Sequence, residues 1–596
     1  MMEQERLLHP EAEETEEPEV QEASDKPNFF AEVVNTCADY LYDYSWIMLL
    51  AAVILIIGYY IWMPSRYYFH SDTTDTLMWA AASYDAGALF DPEFAYACLL
   101  PFGTSLIMTA LIPLFGVSMT THVLGMMIFF LLFTAALMFM LRQMGWSWKW
   151  VSAGAAAELL MLSGSDKLRE IFWGHTIYYS LSVLFLFVGL GLVFRYLELQ
   201  GSGQRKKGSS ARKGRMAKMA AVFLLLCIWY VLTCMNQLNA MTIFALPLLG
   251  GLFVERFLDE KIPLLSVKNL LFLIRLVVLV GCMVLGYFLT VKLADGIVPS
   301  YAESYSTYTP MEEWVDNAEK FPQQWFSLIG VSVRDFDPFL SAQSIINLLM
   351  IISGVIVLVL PVIALCCYRN IEDTKLKVLL LTYWCMTALI LMGYICGRLS
   401  TANWRLSPIL AMSVVVSVAF VRWAVEHTTV RRIMIVSTFP MILVCMVNAV
   451  TILKMPAHGY HDALLYRLAD GLEERGLSYG YATFWQANGI TVVSDSRVQC
   501  RNVSVDADGI RPYNNQSSQS WFYEPPEQEH YFLLLTEHEH RLLTLRQDPL
   551  MQLPYTEEEL CGMYLWTFEE NIFKPEPEEP EELLMPEDVL AATAAE

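Results

Sequence analysis

The sequence predicts a polytopic α-helical membrane protein of about eleven transmembrane helices, with a small extracytoplasmic α/β domain at its C-terminal end. Three observations carry this. The 596 residues are 55% hydrophobic and only 17% charged, whereas soluble domains run near 25% charged, roughly. Apolar runs of bilayer length, about 20 residues each, recur from residue 44 to residue 453. Beyond residue 455 the pattern turns to shorter stretches separated by Pro, Asn and Ser.

The net charge of −23 belongs to the ends. Residues 1–30 hold ten acids against Arg6 and Lys26, and residues 556–596 hold thirteen against Lys574. Acid-rich stretches with few aromatics bury too little to fold, so the cytoplasmic tail 1–43 and the tail 571–596 are expected to be disordered. The membrane core is close to neutral and calls for no nucleic-acid partner. Twelve scattered cysteines with no CxxC form no zinc or redox motif. Cys500 and Cys561, both distal, are the pair that an oxidising compartment can join. The first apolar segment has no small-residue cleavage site after it and reads as an uncleaved signal anchor.

In order, spans are expected at 44–63, 119–141, 150–164, 176–197, 217–235, 240–254, 268–292, 343–368, 376–396, 406–424 and 432–453. Lys and Arg in short loops set their orientation. The cluster Arg205, Lys206, Lys207, Arg212, Lys213, Arg215 and Lys218 marks the inner side. Arg142 with Lys149, Arg369 with Lys375 and Lys377, and Arg422 with Arg431 and Arg432 fall on that side in an alternating count. The N-terminus is then cytoplasmic. Loops 64–118 and 293–342 of the membrane module 44–454 lie outside, as does everything after it.

Within the first loop, residues 99–116 are apolar but broken by Pro101, Gly103 and Pro113. They read as a re-entrant or interfacial helix, because a span there would invert every later loop. Tyr301, Tyr305, Tyr308, Trp314 and Trp325 mark the second loop as interfacial. In the domain 455–570 a helix over 460–475 precedes strand-like runs at 480–485, 489–493 and 531–535. Asn502-Val-Ser and Asn515-Gln-Ser are glycosylation sequons.

The chemistry gathers after the first span. Residues 70–92 hold Asp72, Asp75, Asp85 and Asp91 beside a membrane, where carboxylates are costly unless solvated or used. Asp72 and Asp75, three apart, share a helical face and suit a general base at the outer mouth of a helix bundle. The same two acids can bind a divalent metal. The outer cations Lys167, Arg169, Arg398 and Arg405 are not needed for orientation and suit a lipid phosphate. Glu158, inside a span, is expected to face the bundle interior, where it can either pair with a cation or take part in substrate binding. His175, in Trp173-Gly-His175-Thr-Ile-Tyr-Tyr, can line a sugar site.

This layout resembles the GT-C superfamily of membrane glycosyltransferases, which includes protein O-mannosyltransferases and aminoarabinose transferases. In the first loop the likeness rests on Asp72-Thr73, the helix from Leu77 to Tyr84, Gly87, Pro92, Pro101-Phe-Gly103 and Phe115-Gly116. Later in the chain it rests on Asn403-Trp-Arg405-Leu-Ser-Pro408. The motif spacing puts Asp72 on the family's catalytic acid, and Thr73 stands where the family carries a second acid, a role open to Asp75. The resemblance implies an inverting transfer from a polyprenyl-phosphate-linked sugar donor to a hydroxyl of a glycan or protein acceptor. That transfer serves the cell envelope on the extracytoplasmic face. Asp72 would be the base, and Arg405, Arg398, Arg169 and Lys167 would hold the lipid phosphate. The alternatives are a lipid-linked saccharide flippase or transporter, for which midplane sites and repeats are expected, and a non-catalytic envelope-assembly protein.

Overall fold

The computed structural model describes residues 29–574, apart from 177, 202–208, 259–265, 298, 300–306, 335–337, 399–400 and 507. Most of the two acidic tails, with Arg205, Lys206, Lys207, Tyr301 and Tyr305, lies outside the described residues.

The chain opens with α1 (Phe29–Trp62), whose part Tyr42–Trp62 is apolar throughout. Two helices of the first loop follow, α2 (Ser71–Ala86) and α3 (Thr104–Phe115). The 12 residues of α3 rise only about 18 Å, too little to cross a bilayer, so the apolar half of this loop lies within the assembly as a short helix. The membrane module continues with α4 (Met119–Gln143), α5 (Trp148–Met161), α6 (Tyr179–Gly201), α7 (Ser209–Cys234) and α8 (Gln237–Leu258). It ends with α9 (Val267–Leu293), α10 (Ala342–Cys366), α11 (Thr374–Cys396), α12 (Ser407–His427) and α13 (Arg431–Lys454). Among the described residues, 10 helices are long and apolar enough to cross a membrane. The chain is an integral multi-pass membrane protein.

The eleventh expected span is α5, with only 14 residues. It nevertheless covers the height of α1. At its start Lys149 pairs with Asp43 at 3.4 Å and Trp148 stacks on Trp46. Just past its end Arg169 lies over the Tyr60 ring. From Asp43 to Tyr60 a helix rises roughly 25 Å, which α5 and the turn after it match. The cations expected to share a side do so. Arg142 lies over Trp148, Arg422 lies over Trp146, and Lys375 donates to the Gln143 carbonyl. This basic end sits opposite α2 and α3. Small residues let the helices close in: a Cβ on Gly251 of α8 would lie 2.7 Å from the Thr382 nitrogen of α11.

After Lys454 the chain builds α14 (Leu464–Glu474), β1 (Tyr479–Thr483), α15 (Ala487–Val493), β2 (Gln499–Asp506) and β3 (Gly509–Pro512). Then come β4 (Tyr531–Leu535), α16 (Glu537–Arg546), β5 (Tyr555–Leu560) and β6 (Met563–Phe568). The six strands form one mixed sheet in the order β3-β2-β1-β4-β6-β5. Its centre is parallel, with Gly480 beside Cys500 on one flank and Phe532 on the other, and each edge is an antiparallel hairpin. Strand alternation divides the sheet between two cores. Ala482, Phe532 and Leu534 face α14 and α15 in continuity with the membrane core, while Tyr479, Tyr481 and Leu533 face outward into a second core.

Two expectations fail in this domain and one pairing does not occur. The β-branched run 489–493 is helical: it lies in α15, whose seven residues are all buried, and Gly489 lets Leu465 of α14 pack against it. Burial on every side overrides the strand propensity. Asn502 and Asn515 are buried, with the Asn502 amide donating to the Asn515 carbonyl, so neither sequon is presented for glycosylation. Cys500 and Cys561 are both free.

Candidate active site

The first loop is fastened before it reaches its acids. His70 caps α2 in extended conformation, and the Thr73 hydroxyl accepts from the His70 N–H at 3.1 Å and donates to its carbonyl at 2.5 Å. Thr73 thus closes the helix start where a second acid would otherwise stand. Asp72 is in the first turn, where the helix dipole favours a carboxylate. Gly87, at φ 61°, ends the helix in the left-handed conformation that suits glycine.

One turn beyond Asp72, Asp75 is 6% exposed. His175 Nε2–H donates to its Oδ2 at 3.3 Å, while its Oδ1 has no partner among the described residues. Burial pushes the Asp75 carboxyl up, and the His175 bond and charge only partly offset this. Burial also pushes the His175 imidazole down. The bond and charge of Asp75, with the charges of Asp72 and Glu170, outweigh that, and the net movement is upward. Asp72 is half-buried, close enough to act on both members of this pair, and makes no hydrogen bond or ion pair among the described residues.

His175 is delivered by a helical segment after α5 that relaxes into a π-turn at Glu170–Gly174, a deviation frequent at functional sites. Within it Lys167 Nζ donates to both Glu170 oxygens at 2.7 and 2.6 Å, and His70 Nε2 lies 3.6 Å from Glu170. Desolvation acts to raise the Glu170 carboxyl, but these two partners override it and hold it down at about 2. Lys167 also lies over Trp404, 5.0 Å from the ring centroid. The adjacent Arg405 is half-buried, its charge reaching Tyr179 and its Nε without a partner among the described residues. Tyr178 bonds the Cys98 thiol, and Cys98 in turn lies near Asp75.

Direct contacts, and at the Arg405–Tyr179 and Cys98–Asp75 steps the reach of charge alone, link Asp75, His175, Glu170, Lys167, Trp404–Arg405, Tyr179–Tyr178 and Cys98 into a ring drawn from four segments of the chain. Buried polar atoms without partners gather on it: Ser71 Oγ, Thr76 Oγ1 and Trp79 Nε1 on α2, with His70 Nδ1 beside them. Each such group costs about 1–3 kcal/mol, and such groups are otherwise rare in folded proteins. Beside the ring a cavity of about 190 Å³ lies between the first loop and the C-terminal domain, lined by Arg66, His70, Tyr466 and Trp485. Arg66 Nε and Tyr466 Oη are buried there without partners, and Trp485 is 59% exposed.

The expected residues fare differently. Asp72, Asp75, His175, Lys167 and Arg405 come together. Arg169 is beside them but buried, bonded to Asp166 and, at 2.8 Å, to the Ser163 carbonyl. Arg398 is exposed just past the end of α11, its N–H bonded to the Thr307 carbonyl. Glu158 is fully buried inside the bundle, and neither carboxyl oxygen has a partner among the described residues. No cation pairs with it among the described residues. Sequence reasoning missed Glu170, although its i,i+3 spacing from Lys167 is a legible ion-pair signal. Among the described residues no three His, Cys, Asp or Glu side chains converge as a metal site, so no step is routed through a metal.

No protein-family model matches this chain, and no curated protein aligns with it. Two solved structures are similar in fold. One is ArnT from Cupriavidus metallidurans bound to undecaprenyl phosphate, at 13% identity and TM-score 0.40, covering 89% of this chain and 100% of that one. The other is the Archaeoglobus fulgidus oligosaccharyltransferase in complex with zinc and sulfate, at 13% identity and TM-score 0.40, covering 87% of this chain and 72% of that one.

Proposed function

We propose that this chain is a membrane glycosyltransferase of GT-C type, moving a sugar from a polyprenyl-phosphate-linked donor to an acceptor hydroxyl. What supports the reading is the ring: Asp72, with no ion pair among the described residues, and Glu170, the partner of Lys167, both act by charge on His175, and Lys167 lies over Trp404, next to Arg405. The basic end, with Arg142, Lys149, Lys375 and Arg422, is taken as cytoplasmic. The ring and the α/β domain at 455–570 then face outward, where a lipid-linked sugar and an envelope glycan or protein acceptor can meet.

In this mechanism the acceptor oxygen attacks the anomeric carbon from the face opposite the phosphate. Its proton passes to Asp72, the new C–O bond forms as the C–O bond to phosphate breaks, and the configuration inverts. The bonding electrons leave with the polyprenyl phosphate, whose growing charge is stabilised by Arg405 and Lys167, held in place by Trp404 and Glu170. Asp75, bonded to His175, holds that side of the mouth in place. The aromatic cavity under Trp485 offers a platform on the acceptor's side.

The test is release of polyprenyl phosphate from a panel of undecaprenyl-phosphate-linked pentoses and hexoses by the purified chain. Asp72→Asn is expected to lower that release by about 10²–10⁴-fold, the usual contribution of a general base, with the melting temperature unchanged. Wild-type turnover in this variant would overturn the assignment.

A further inference from the structure

A second large cavity lies at the basic end, a membrane's thickness from Asp72, and the transfer chemistry makes no use of it. It occupies about 810 Å³ between α6, α7, α8 and α9, within the range of ligand sites, about 300–1,000 Å³. Its outer wall is α9, a helix of which only 11% of the apolar window is buried, so the cavity opens sideways toward lipid. Its walls are largely apolar side chains such as Phe223, Leu252 and Leu279, yet three cations line it, Arg256, Lys268 and Arg275, against one acid, Glu255.

Arg275 sets the problem. It lies two turns into α9, about 12 Å along the axis, where a cation is costly unless paired or facing a polar cavity. Its guanidinium lies over the Tyr196 ring at 5.6 Å and makes no hydrogen bond or ion pair among the described residues. Arg256 donates its Nε–H to Asn269 Oδ1 at 2.8 Å and lies over the Phe272 ring, and makes no ion pair among the described residues. Lys268 is exposed at the start of the same helix. Positive charge therefore exceeds negative within an apolar slot open to the bilayer, which matches a ligand with a phosphate at one end and acyl chains at the other.

We propose that this cavity binds an anionic phospholipid of the adjacent leaflet, its phosphate among Arg275, Arg256 and Lys268 and its chains along α7 and α9. Native mass spectrometry of the full chain, titrated with phosphatidylglycerol or phosphatidylcholine, tests this. The wild type is expected to prefer phosphatidylglycerol by at least about tenfold, and inorganic phosphate alone is expected to leave its melting temperature unchanged. Each cavity cation is worth about fivefold, so Arg275→Gln with Lys268→Gln, which leaves Arg256 in place, lowers the preference by more than about tenfold while Arg275→Lys keeps most of it. Should the double variant fail to fold, Lys268→Gln alone, at an exposed position, is expected to lose about fivefold. Lys213→Gln, an exposed cation outside the cavity, serves as control and loses nothing. The proposal falls if Lys268→Gln binds as the wild type does, if Lys213→Gln loses as much, or if free phosphate stabilises the chain equally.

Discussion

Asp75 lies 3.3 Å from the His175 imidazole and Glu170 3.6 Å from that of His70, and their surroundings move the two carboxylates in opposite directions. Glu170 is bonded by Lys167 and by His70, and sits far below its ordinary value. A depressed carboxyl stabilises the fold above its unfolded value near 4.5 and loses that contribution as pH falls toward about 2. The difference is on the order of 3 kcal/mol. Melting curves of Glu170→Gln are therefore expected to run below wild type at a constant offset from pH 5 to 8, with the gap closing in acid. His175 behaves with the opposite sign. Its raised imidazole contributes fully below 6.5 and loses that contribution as pH climbs through the folded value, and the raised Asp75 carboxyl adds a cost in the same direction. Asp75→Asn combined with His175→Gln is expected to flatten the alkaline decline of the melting temperature. His175→Ala alone leaves a buried carboxylate stranded and is expected to cost about 3–5 kcal/mol, read by denaturation in detergent.

At the scale of elements, the spans were legible because a bilayer demands one long apolar run per crossing, and each expected span lies within a few residues of a helix. The π-turn, the ring and the partners of Glu170 were not legible. They arise where residues 70–75, 98, 167–179 and 404–405 meet, and no local pattern encodes such meetings. Residues 489–493 misled for a related reason: Ile490, Val492 and Val493 carry strand propensity, and only packing against Leu465 makes them helical. Thr73 was legible only as a missing acid. Its hydroxyl instead closes the cap of α2, so Thr73→Val is expected to cost about 1 kcal/mol and to lower transfer by loosening Asp72. Between spans, Gly251→Val drives a side chain into the Thr382 backbone. Loss of the folded species on size-exclusion chromatography is the expected outcome, whereas a similar change at Gly281, which meets nothing within 4 Å, is expected to be silent.

At the scale of the molecule, the C-terminal domain is pinned to the first loop through backbone. Ala95 N–H donates to the Ser517 carbonyl at 2.8 Å, Gln516 N–H donates to the Ala95 carbonyl at 2.7 Å, and Asp495 accepts from Met119 N–H. Gln516→Pro removes one of these donors and cannot keep the φ of 54° at that position, so hydrogen exchange across residues 90–100 is expected to rise at least about tenfold with the spans unaffected. No change there would mean that the domain merely rests on the loop. A further consequence follows from the shortness of α5. Because that helix ends level with Tyr60, the loop holding Lys167, Glu170 and His175 stands no higher than the end of the first span. Under the proposed function, a polyprenyl donor reacting at that depth would keep its tail among the lipids. Lifting the chain into water would cost about 0.8 kcal/mol for every methylene exposed, and this geometry avoids that ascent. Supply of donor then becomes a matter of two-dimensional diffusion within the leaflet, and turnover should follow membrane fluidity rather than the solubility of the lipid.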